Sequence, residues 1–297
     1  MKIGFIGLGA MGAPMAARLV AAGHEVRGFD VRDSAVDALQ ALGGIACASA
    51  GDAAAGADLL WLMVVNGEQA DSVLFSGREG GAAAALPAGA LIVAACTQAP
   101  AGARRLAERA AAIGVTLLDA PVSGGVAGAT AGTLSVMCAG PDAAVARAMP
   151  VFQAVARHIF CVGSEPGMGS TAKMINQLLC GVHIAAAAEA LNVAERAGLS
   201  LDTVNEIIKV SAGYSWMWGD RVPRMLQAEP AVTSAVDIFV KDLGIVLDQG
   251  KLARQGLPLA AAAMQMFLAA SGLGHGGADD SQVIHAYRAL NGTGAGK

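Results

Sequence analysis

Three glycines near the N-terminus follow the spacing G-x-G-x-x-G. Gly7, Gly9 and Gly12 come directly after an apolar run, Ile3–Ile6, and open a helical pattern. In such a strand–turn–helix the first glycine permits the tight turn, the second lets the backbone approach a pyrophosphate, and the third lets the helix pack close to the strand. The helix N-terminus then faces the anion. The predicted dinucleotide-binding residues of this turn are Gly7, Leu8, Gly9, Ala10, Met11 and Gly12.

A carboxylate ends the second apolar run, Glu25–Phe29. Asp30 stands roughly 20 residues after the glycines, where an acidic side chain accepts hydrogen bonds from the adenosine ribose. Its charge would repel a 2′-phosphate, so the sequence predicts NAD as the preferred cofactor. Arg32 leaves NADP as an alternative cofactor, because an arginine just beyond this strand can accommodate that phosphate. Arg32 can instead simply be a solvated side chain. The predicted adenosine site comprises Asp30, Val31 and Arg32.

A second group of polar residues stands far along the chain. Lys173, Asn176 and Gln177 are spaced i, i+3 and i+4 in a helical pattern and so share one face. Lys241 stands in a mainly apolar segment. Taken alone, each lysine is more simply explained as a long side chain that keeps its ammonium in water. The dinucleotide motif earlier in the chain favours a functional role instead.

Short apolar runs alternate with alanine-rich helical stretches in the first half of the chain. The predicted strands are Ile3–Ile6, Glu25–Phe29, Leu59–Val65, Leu91–Ala95, Val115–Leu118, Leu134–Cys138 and Ile159–Val162. Their apolar content is nearly continuous, which is typical of strands covered on both faces. Helical patterns such as Met11–Ala22, Ser34–Leu42 and Ala101–Ile113 lie between them. This alternation predicts a doubly wound parallel sheet.

The pattern becomes all-helical after Val162. A helix of about 30 residues is expected after a glycine-rich loop. Further helical segments are Leu201–Ser211, Ser215–Leu226, Val236–Gln255, Leu257–Ser271 and Asp280–Leu290. We therefore predict an α/β Rossmann-type parallel-sheet domain over residues 1–163. An all-α domain over residues 164–297, opened by the long interdomain helix, is expected to serve substrate binding and oligomerisation.

Composition excludes several classes of function. The 20 lysines and arginines stand against 24 aspartates and glutamates, a net charge of −4 that argues against nucleic-acid binding. The five cysteines lack a C-x-x-C pair and the five histidines are scattered, so neither a disulfide framework nor a metal site is predicted. No uncharged run offers the ~20 unbroken apolar residues of a spanning helix, and no signal peptide is visible. We expect a cytoplasmic protein that does not bind a membrane.

Five motifs together resemble one known family. They are G-L-G-A-M-G at Gly7–Gly12, A-P-V-S-G-G at Ala120–Gly125, G-T-L-S-V-M at Gly132–Met137, G-S-T-A-K-M-I-N-Q at Gly169–Gln177 and K-D-L-G at Lys241–Gly244. Spread over almost the whole chain, they resemble the β-hydroxyacid dehydrogenases related to 3-hydroxyisobutyrate dehydrogenase. The resemblance implies NAD-dependent hydride transfer to or from a small hydroxy acid, in a homodimer or homotetramer.

The resemblance also implies a role for individual residues. Lys173 matches the catalytic lysine, a general base in oxidation and a general acid in reduction. Because an unperturbed lysine has a pKa of about 10.4, the pKa of Lys173 must be lowered by desolvation or by a nearby cation, for which Lys241 is the candidate. The implied cofactor contacts are Thr97 at the nicotinamide end, Lys241, and the strand end Met63, Val64 and Val65, which lacks a proline common in relatives. The implied substrate contacts are Ser123, Gly124 and Gly125 on the carboxylate and Asn176 and Gln177 on the hydroxyl.

Four further stretches resemble the members of the family that oxidise L-threonate to 2-oxotetronate. They are Asn176–Ala190, Ser211–Trp218, Arg221–Leu226 and Ser234–Gly244. Trp216 and Phe239 would then line the substrate pocket, although both are equally explained as core residues. The alternatives are 2-hydroxy-3-oxopropionate (tartronate semialdehyde) reduction, 3-hydroxyisobutyrate oxidation and a non-catalytic nucleotide-binding module. Lys173 argues against the last of these, because non-catalytic relatives lack it.

Overall fold

The computed structural model of the chain describes residues 1–76 and 81–292. The chain divides into two units, Met1–Lys173 and Met174–Lys297. The boundary expected between residues 163 and 164 stays a prediction, and the last five residues of the predicted second domain lie outside the described residues.

The first unit is built on one sheet. Its strands in the described part of the chain are β1 (Lys2–Ile6), β2 (Glu25–Phe29), β3 (Ile45–Ala46), β4 (Leu59–Leu62), β5 (Leu91–Ala94), β6 (Thr116–Asp119), β7 (Val122–Ser123), β8 (Leu134–Ala139) and β9 (Ala156–Gly163). They are ordered β3-β2-β1-β4-β5-β6-β8-β7, with β9 paired to β8. The strands β1 to β6 pair in parallel, as the continuous apolar runs predicted. Strand β8 reverses direction against β6 and β7 before β9 pairs with it in parallel.

Helices cover both faces of this sheet. They are α1 (Gly12–Ala21), α2 (Asp33–Ala41), α3 (Ala50–Ala54), α4 (Gly67–Phe75), α5 (Gly81–Ala84), α6 (Pro100–Ala111), α7 (Gly125–Ala131) and α8 (Asp142–Val155). On one face Trp61 lies between Phe5 and Phe152, with ring centroids 6.1 and 5.8 Å apart. Its neighbours Leu60 and Leu62 belong to the core on the opposite face, because successive side chains of a strand alternate. The sheet is therefore doubly wound, as predicted.

Strand β4 is shorter than predicted. It ends at Leu62 rather than Val65, although the apolar run continues. The Val65 N–H donates to the side-chain oxygen of Gln69, and the Asn66 side chain accepts from the Gln69 N–H to cap α4. These two polar contacts turn the chain out of the sheet, so Met63–Val65 form a loop at the carboxyl end of β4.

The second unit is helical. The long helix α9 (Met168–Arg196) leads into it, followed by α10 (Leu201–Lys209), α11 (Trp216–Met225), α12 (Val236–Leu252), α13 (Pro258–Ala270), a π-helical turn (Ser271–His275), a 3₁₀ turn (Asp280–Val283) and α14 (Ile284–Asn291). Asp280–Leu290 is thus two elements rather than the single helix predicted. Among the described helices α9 alone is long and apolar enough to cross a membrane by length and composition, a test that core helices also pass. Its Ile184, Ala188 and Leu191 belong to the core of the second unit.

Candidate active site

The glycine turn between β1 and α1 can be built only with glycine at two positions. Gly7 has a φ of +94°, and a Cβ there would lie 2.4 Å from the Met63 carbonyl oxygen. A Cβ on Gly12 would lie 1.8 Å from the Gly7 carbonyl oxygen. Both distances are far below van der Waals contact. These glycines are therefore required by the turn and by the packing of α1 against the sheet, whatever binds there.

Gly9 differs from its two neighbours in the motif. A Cβ on Gly9 would have one atom within 4 Å, the Nη2 of Arg32 at 4.0 Å. The fold therefore leaves the space over this backbone open. The N-cap residue of α1, Met11, makes no side-chain cap, and the first turn holds no acidic residue, so the N–H groups at the helix start can bind an anion. The turn, which also includes Leu8 and Ala10, therefore fits the pyrophosphate of a dinucleotide.

Asp30 is tied into this turn. Its Oδ2 accepts a 2.7 Å hydrogen bond from the Leu8 N–H, and its Oδ1 accepts from the backbone N–H and the Nε–H of Arg32 at 3.0 and 3.1 Å. Burial raises the pKa of Asp30, but the hydrogen bonds from Arg32 and Leu8 outweigh it and leave that pKa below its ordinary value. Arg32 is largely exposed and also donates from Nη2 to the Leu8 carbonyl, while Val31 is exposed. Contact of this carboxylate with a ribose stays a prediction.

The ends of β4 and β5 place two more predicted groups side by side. The two strands are adjacent and parallel, so Met63–Val65 and Thr97 follow neighbouring strands at the same edge of the sheet. Gln98, which was not among the predicted site residues, is 3% exposed there. Its side-chain oxygen and nitrogen have no hydrogen-bond partner within the described part of the chain. This edge therefore holds unused hydrogen-bonding capacity next to Thr97.

The predicted carboxylate-binding residues form one turn. Ser123 ends β7, and Gly124 and Gly125, with φ of +127° and +62°, lead into α7. Such backbone angles favour glycine, which explains the S-G-G sequence without reference to a ligand. The turn presents one hydroxyl together with the N–H groups at the start of α7. Lys173, in the second turn of α9, is 8% exposed.

In the second unit a buried carboxylate joins three of the predicted residues. Asp242 is 2% exposed, and its Oδ2 accepts a 2.5 Å hydrogen bond from Gln177 Nε2. Its Oδ1 lies 2.5 Å from the Nζ of Lys241. The Gln177 Oε1 in turn accepts a 2.9 Å bond from Asn176 Nδ2. We call Asn176, Gln177, Asp242 and Lys241 the amide relay.

The carboxylate sets the direction of every bond in the amide relay. Ionised Asp242 can only accept, so Gln177 must donate to it with its amide nitrogen and accept with its oxygen. Asn176 must then donate to Gln177, which directs its own carbonyl oxygen to other donors. Lys241 forms an ion pair with Asp242 and is not an isolated cation. Its expected influence on the pKa of Lys173 stays a prediction.

The sequence contains a signal for Asp242, which was not among the predicted site residues. Phe239, Asp242 and Val246 are spaced i, i+3 and i+7 on α12 and all are buried, so the carboxylate stands on the apolar face of its helix. Phe239 itself stacks on Phe267 in the core, with centroids 5.1 Å apart, whereas Trp216 at the start of α11 is 60% exposed. The structure thus separates these two predicted pocket residues. In residues 1–76 and 81–292 no three His, Cys, Asp or Glu side chains form a metal-binding group.

Comparison with known proteins agrees with both units. The model of the NAD-binding domain of 6-phosphogluconate dehydrogenase matches residues 2–163, and the NAD-binding model of NADP-dependent 3-hydroxyisobutyrate dehydrogenase matches residues 167–287. The L-threonate dehydrogenase of Cupriavidus necator is 46% identical over 95% of both chains. That of Escherichia coli is 43% identical over 99% of this chain and 97% of its own. The chain belongs to the β-hydroxyacid dehydrogenase family.

A solved member of the family has the same fold. The crystal structure of 3-hydroxyisobutyrate dehydrogenase from Salmonella typhimurium has a TM-score of 0.90 and 43% identity, and the match covers 95% of this chain and 98% of that one. The protein is therefore an NAD(P)-dependent oxidoreductase that acts on CH–OH groups. This confirms the fold class, the cofactor class and the reaction class predicted from the sequence.

Proposed function

We propose that this dehydrogenase oxidises L-threonate at its C2 hydroxyl to 2-oxotetronate with NAD. The observation that carries the substrate is the similarity to the L-threonate dehydrogenases of Cupriavidus necator and Escherichia coli over nearly the whole chain. The amide relay supports a substrate rich in hydroxyls, because it offers an oriented amide where an aliphatic acid would need apolar contacts. When bound, the nicotinamide cofactor would supply the acceptor for the hydride of the carbinol carbon.

The chain itself must hold the acid, orient the hydroxyl and move its proton. Ser123 and the N–H groups of Gly124 and Gly125 hold the carboxylate. Asn176, fixed in orientation by the amide relay, accepts a hydrogen bond through its carbonyl oxygen from a neighbouring substrate hydroxyl and so orients the one that is oxidised. Lys173 shares the helix face of Asn176 and removes the hydroxyl proton during oxidation. Lys173 is 8% exposed, and a base at this place requires the neutral form of its amine.

The assignment of Lys173 is tested by Lys173→Ala. Loss of a general acid–base group should lower kcat by at least about a hundredfold. The dissociation constant of NAD should stay near its original value, because the phosphate turn is untouched. An enzyme that keeps most of its turnover would show that another group moves the proton.

The substrate is tested by comparing kcat/KM for L-threonate, D-erythronate, D-glycerate and 3-hydroxyisobutyrate with NAD. A polar group that loses its partner in a buried site costs about 1–3 kcal/mol, so acids with a methyl group in place of a hydroxyl should be about 10- to 100-fold poorer. If 3-hydroxyisobutyrate matched L-threonate, the sugar-acid assignment would fall and the dehydrogenase class would remain.

Oxidation of 3-hydroxyisobutyrate is the second candidate, favoured by the similarity to the 3-hydroxyisobutyrate dehydrogenase of Salmonella typhimurium. Reduction of 2-hydroxy-3-oxopropionate is the third, and a panel run in the reducing direction with NADH distinguishes it. For the cofactor, we propose that NAD is preferred over NADP because Asp30 places a carboxylate beside the phosphate turn. Equal kcat/KM for the two cofactors would mean that Arg32 decides the adenosine site.

We further propose a cytoplasmic homodimer or homotetramer. Three apolar side chains of α9, Ile175, Leu179 and Val193, are 55%, 49% and 63% exposed, and a second copy of the chain could cover them. Within residues 1–76 and 81–292 no disulfide is formed, which suits a reducing compartment. Sedimentation at micromolar concentration should show a species larger than the 29.5 kDa chain.

A further inference from the structure

The start of α9 is bound to the sheet by one buried carboxylate. Asp119, the last residue of β6, is fully buried. Its Oδ2 accepts 2.8 Å hydrogen bonds from the backbone N–H groups of Gly167 and Ser170, and its Oδ1 accepts a 2.7 Å bond from the Ser170 hydroxyl. Burial raises the pKa of Asp119, and the bonds from Ser170 and Gly167 oppose that shift.

The backbone of the same turn approaches the sheet very closely. A Cβ on Gly169 would lie 2.2 Å from the Asp119 carbonyl oxygen and 2.6 Å from that of Met137 on β8. Only glycine therefore lets the helix start sit this deep. The close approach sets the distance between the start of α9 and the strand ends. The Asp119 side chain accepts from two donors on Ser170 and one on Gly167. These three bonds set the rotation of α9 and its position along its own axis.

Lys173 follows Ser170 by three residues, so it lies about one turn further along the same side of α9, roughly 4.5 Å along the axis. We propose that Asp119 is the positioning residue for Lys173. It fixes the first turn of α9 and thereby the place of the buried amine, an inference that rests on the proposed role of Lys173 as general base. An error of about 1 Å in the position of a reacting group can cost 10²-fold in rate.

A helix cap with no influence on Lys173 is the competing explanation, and it predicts a different response. A pure cap affects the amount of folded enzyme but not the turnover of each folded molecule. A positioning residue affects kcat while cofactor binding is unchanged, and its effect vanishes when the group it positions is absent.

The experiment measures kcat and the dissociation constant of NADH for Asp119→Asn and Ser170→Ala, each with and without Lys173→Ala. With Lys173 present, Asp119→Asn should lower kcat about 10- to 100-fold, and the affinity for NADH should change less than about twofold. Ser170→Ala keeps the Asp119 carboxylate and its two bonds from backbone N–H groups, so this variant should fold even if Asp119→Asn does not. It should lower kcat about threefold to tenfold. In the Lys173→Ala chain neither change should lower the residual turnover further.

Thr171→Val is the matched control. The Thr171 hydroxyl donates a 2.7 Å bond to the Gly167 carbonyl in the same turn but does not touch Asp119, so kcat should keep its original value. Original kcat in both Asp119→Asn and Ser170→Ala, or equal losses with and without Lys173, would overturn the positioning role. If Lys173→Ala itself kept its turnover, the proposed function would fail first, which separates the two conclusions.

Discussion

Gly9→Ala should separate binding of the cofactor from folding of the domain. The added Cβ meets no atom closer than 4.0 Å, and Gly9 has no left-handed backbone angle, so the folded chain accommodates alanine. The melting temperature should therefore stay within about 2 °C of the original, since surface substitutions of this kind change stability by about 0.5 kcal/mol or less. A pyrophosphate lying against this backbone would instead collide with the new methyl group.

The size of the binding defect follows from the cost of overpacking. Inserting a methyl group into a closely packed contact costs about 1–3 kcal/mol, which corresponds to a roughly 5- to 150-fold larger dissociation constant for NAD. Isothermal titration calorimetry with NAD measures this constant without turnover. The KM for the hydroxy acid at saturating NAD should change little, because the change is confined to the phosphate turn.

Two matched glycine substitutions bracket this result. Gly51→Ala, in α3 of the same unit, places its Cβ 3.7 Å from the Ser49 Oγ and should leave NAD binding unchanged. Gly12→Ala would place a Cβ 1.8 Å from the Gly7 carbonyl oxygen and should destabilise the fold itself. Unaltered NAD affinity in a stable Gly9→Ala enzyme would refute the assignment of this turn to the pyrophosphate.

Three further predictions concern the second unit. Asp242→Asn should lower the free energy of unfolding, measured by chemical denaturation, by about 2–3 kcal/mol, because it leaves the partly buried Lys241 without its carboxylate. Adding Lys241→Met should restore part of that loss. Burial and the neighbouring His275 lower the pKa of His285 below 6.5. The unfolded chain then binds a proton that the folded chain does not, so stability should fall as the pH drops below about 6.5, and less so in His285→Gln. Phe239→Ala should cost about 3–5 kcal/mol of stability, and a loss below about 1 kcal/mol would place Phe239 outside the core.

The glycine turn and the place of Asp30 beside it were largely predictable from the sequence. The glycine spacing, the apolar strand before it and Asp30 after the next strand all lie within 30 residues, and their geometry depends on local backbone angles and on adjacent parallel strands. The continuous apolar runs likewise predicted strands covered on both faces. Two-residue strands such as β3 and β7 carry no such pattern, and the end of β4 depended on the side chains of Asn66 and Gln69 rather than on hydropathy.

The contacts of the predicted substrate residues join parts of the chain that are far apart in sequence. Periodicity indicates that a position faces the interior, but it does not identify the partner it meets there. Phe239 and Trp216 were both predicted as aromatic residues of the pocket, yet Phe239 packs in the core and Trp216 is exposed.

The sequence by itself determined the doubly wound sheet, the glycine turn and the polar face of α9, because each follows from local sterics or from the spacing of apolar residues. Only the tertiary structure showed that Asp242 orients Gln177 across 65 positions and that Asp119 holds Ser170 across 51. A buried carboxylate needs donors to offset its lost hydration, and which donors reach it is decided by how the elements pack.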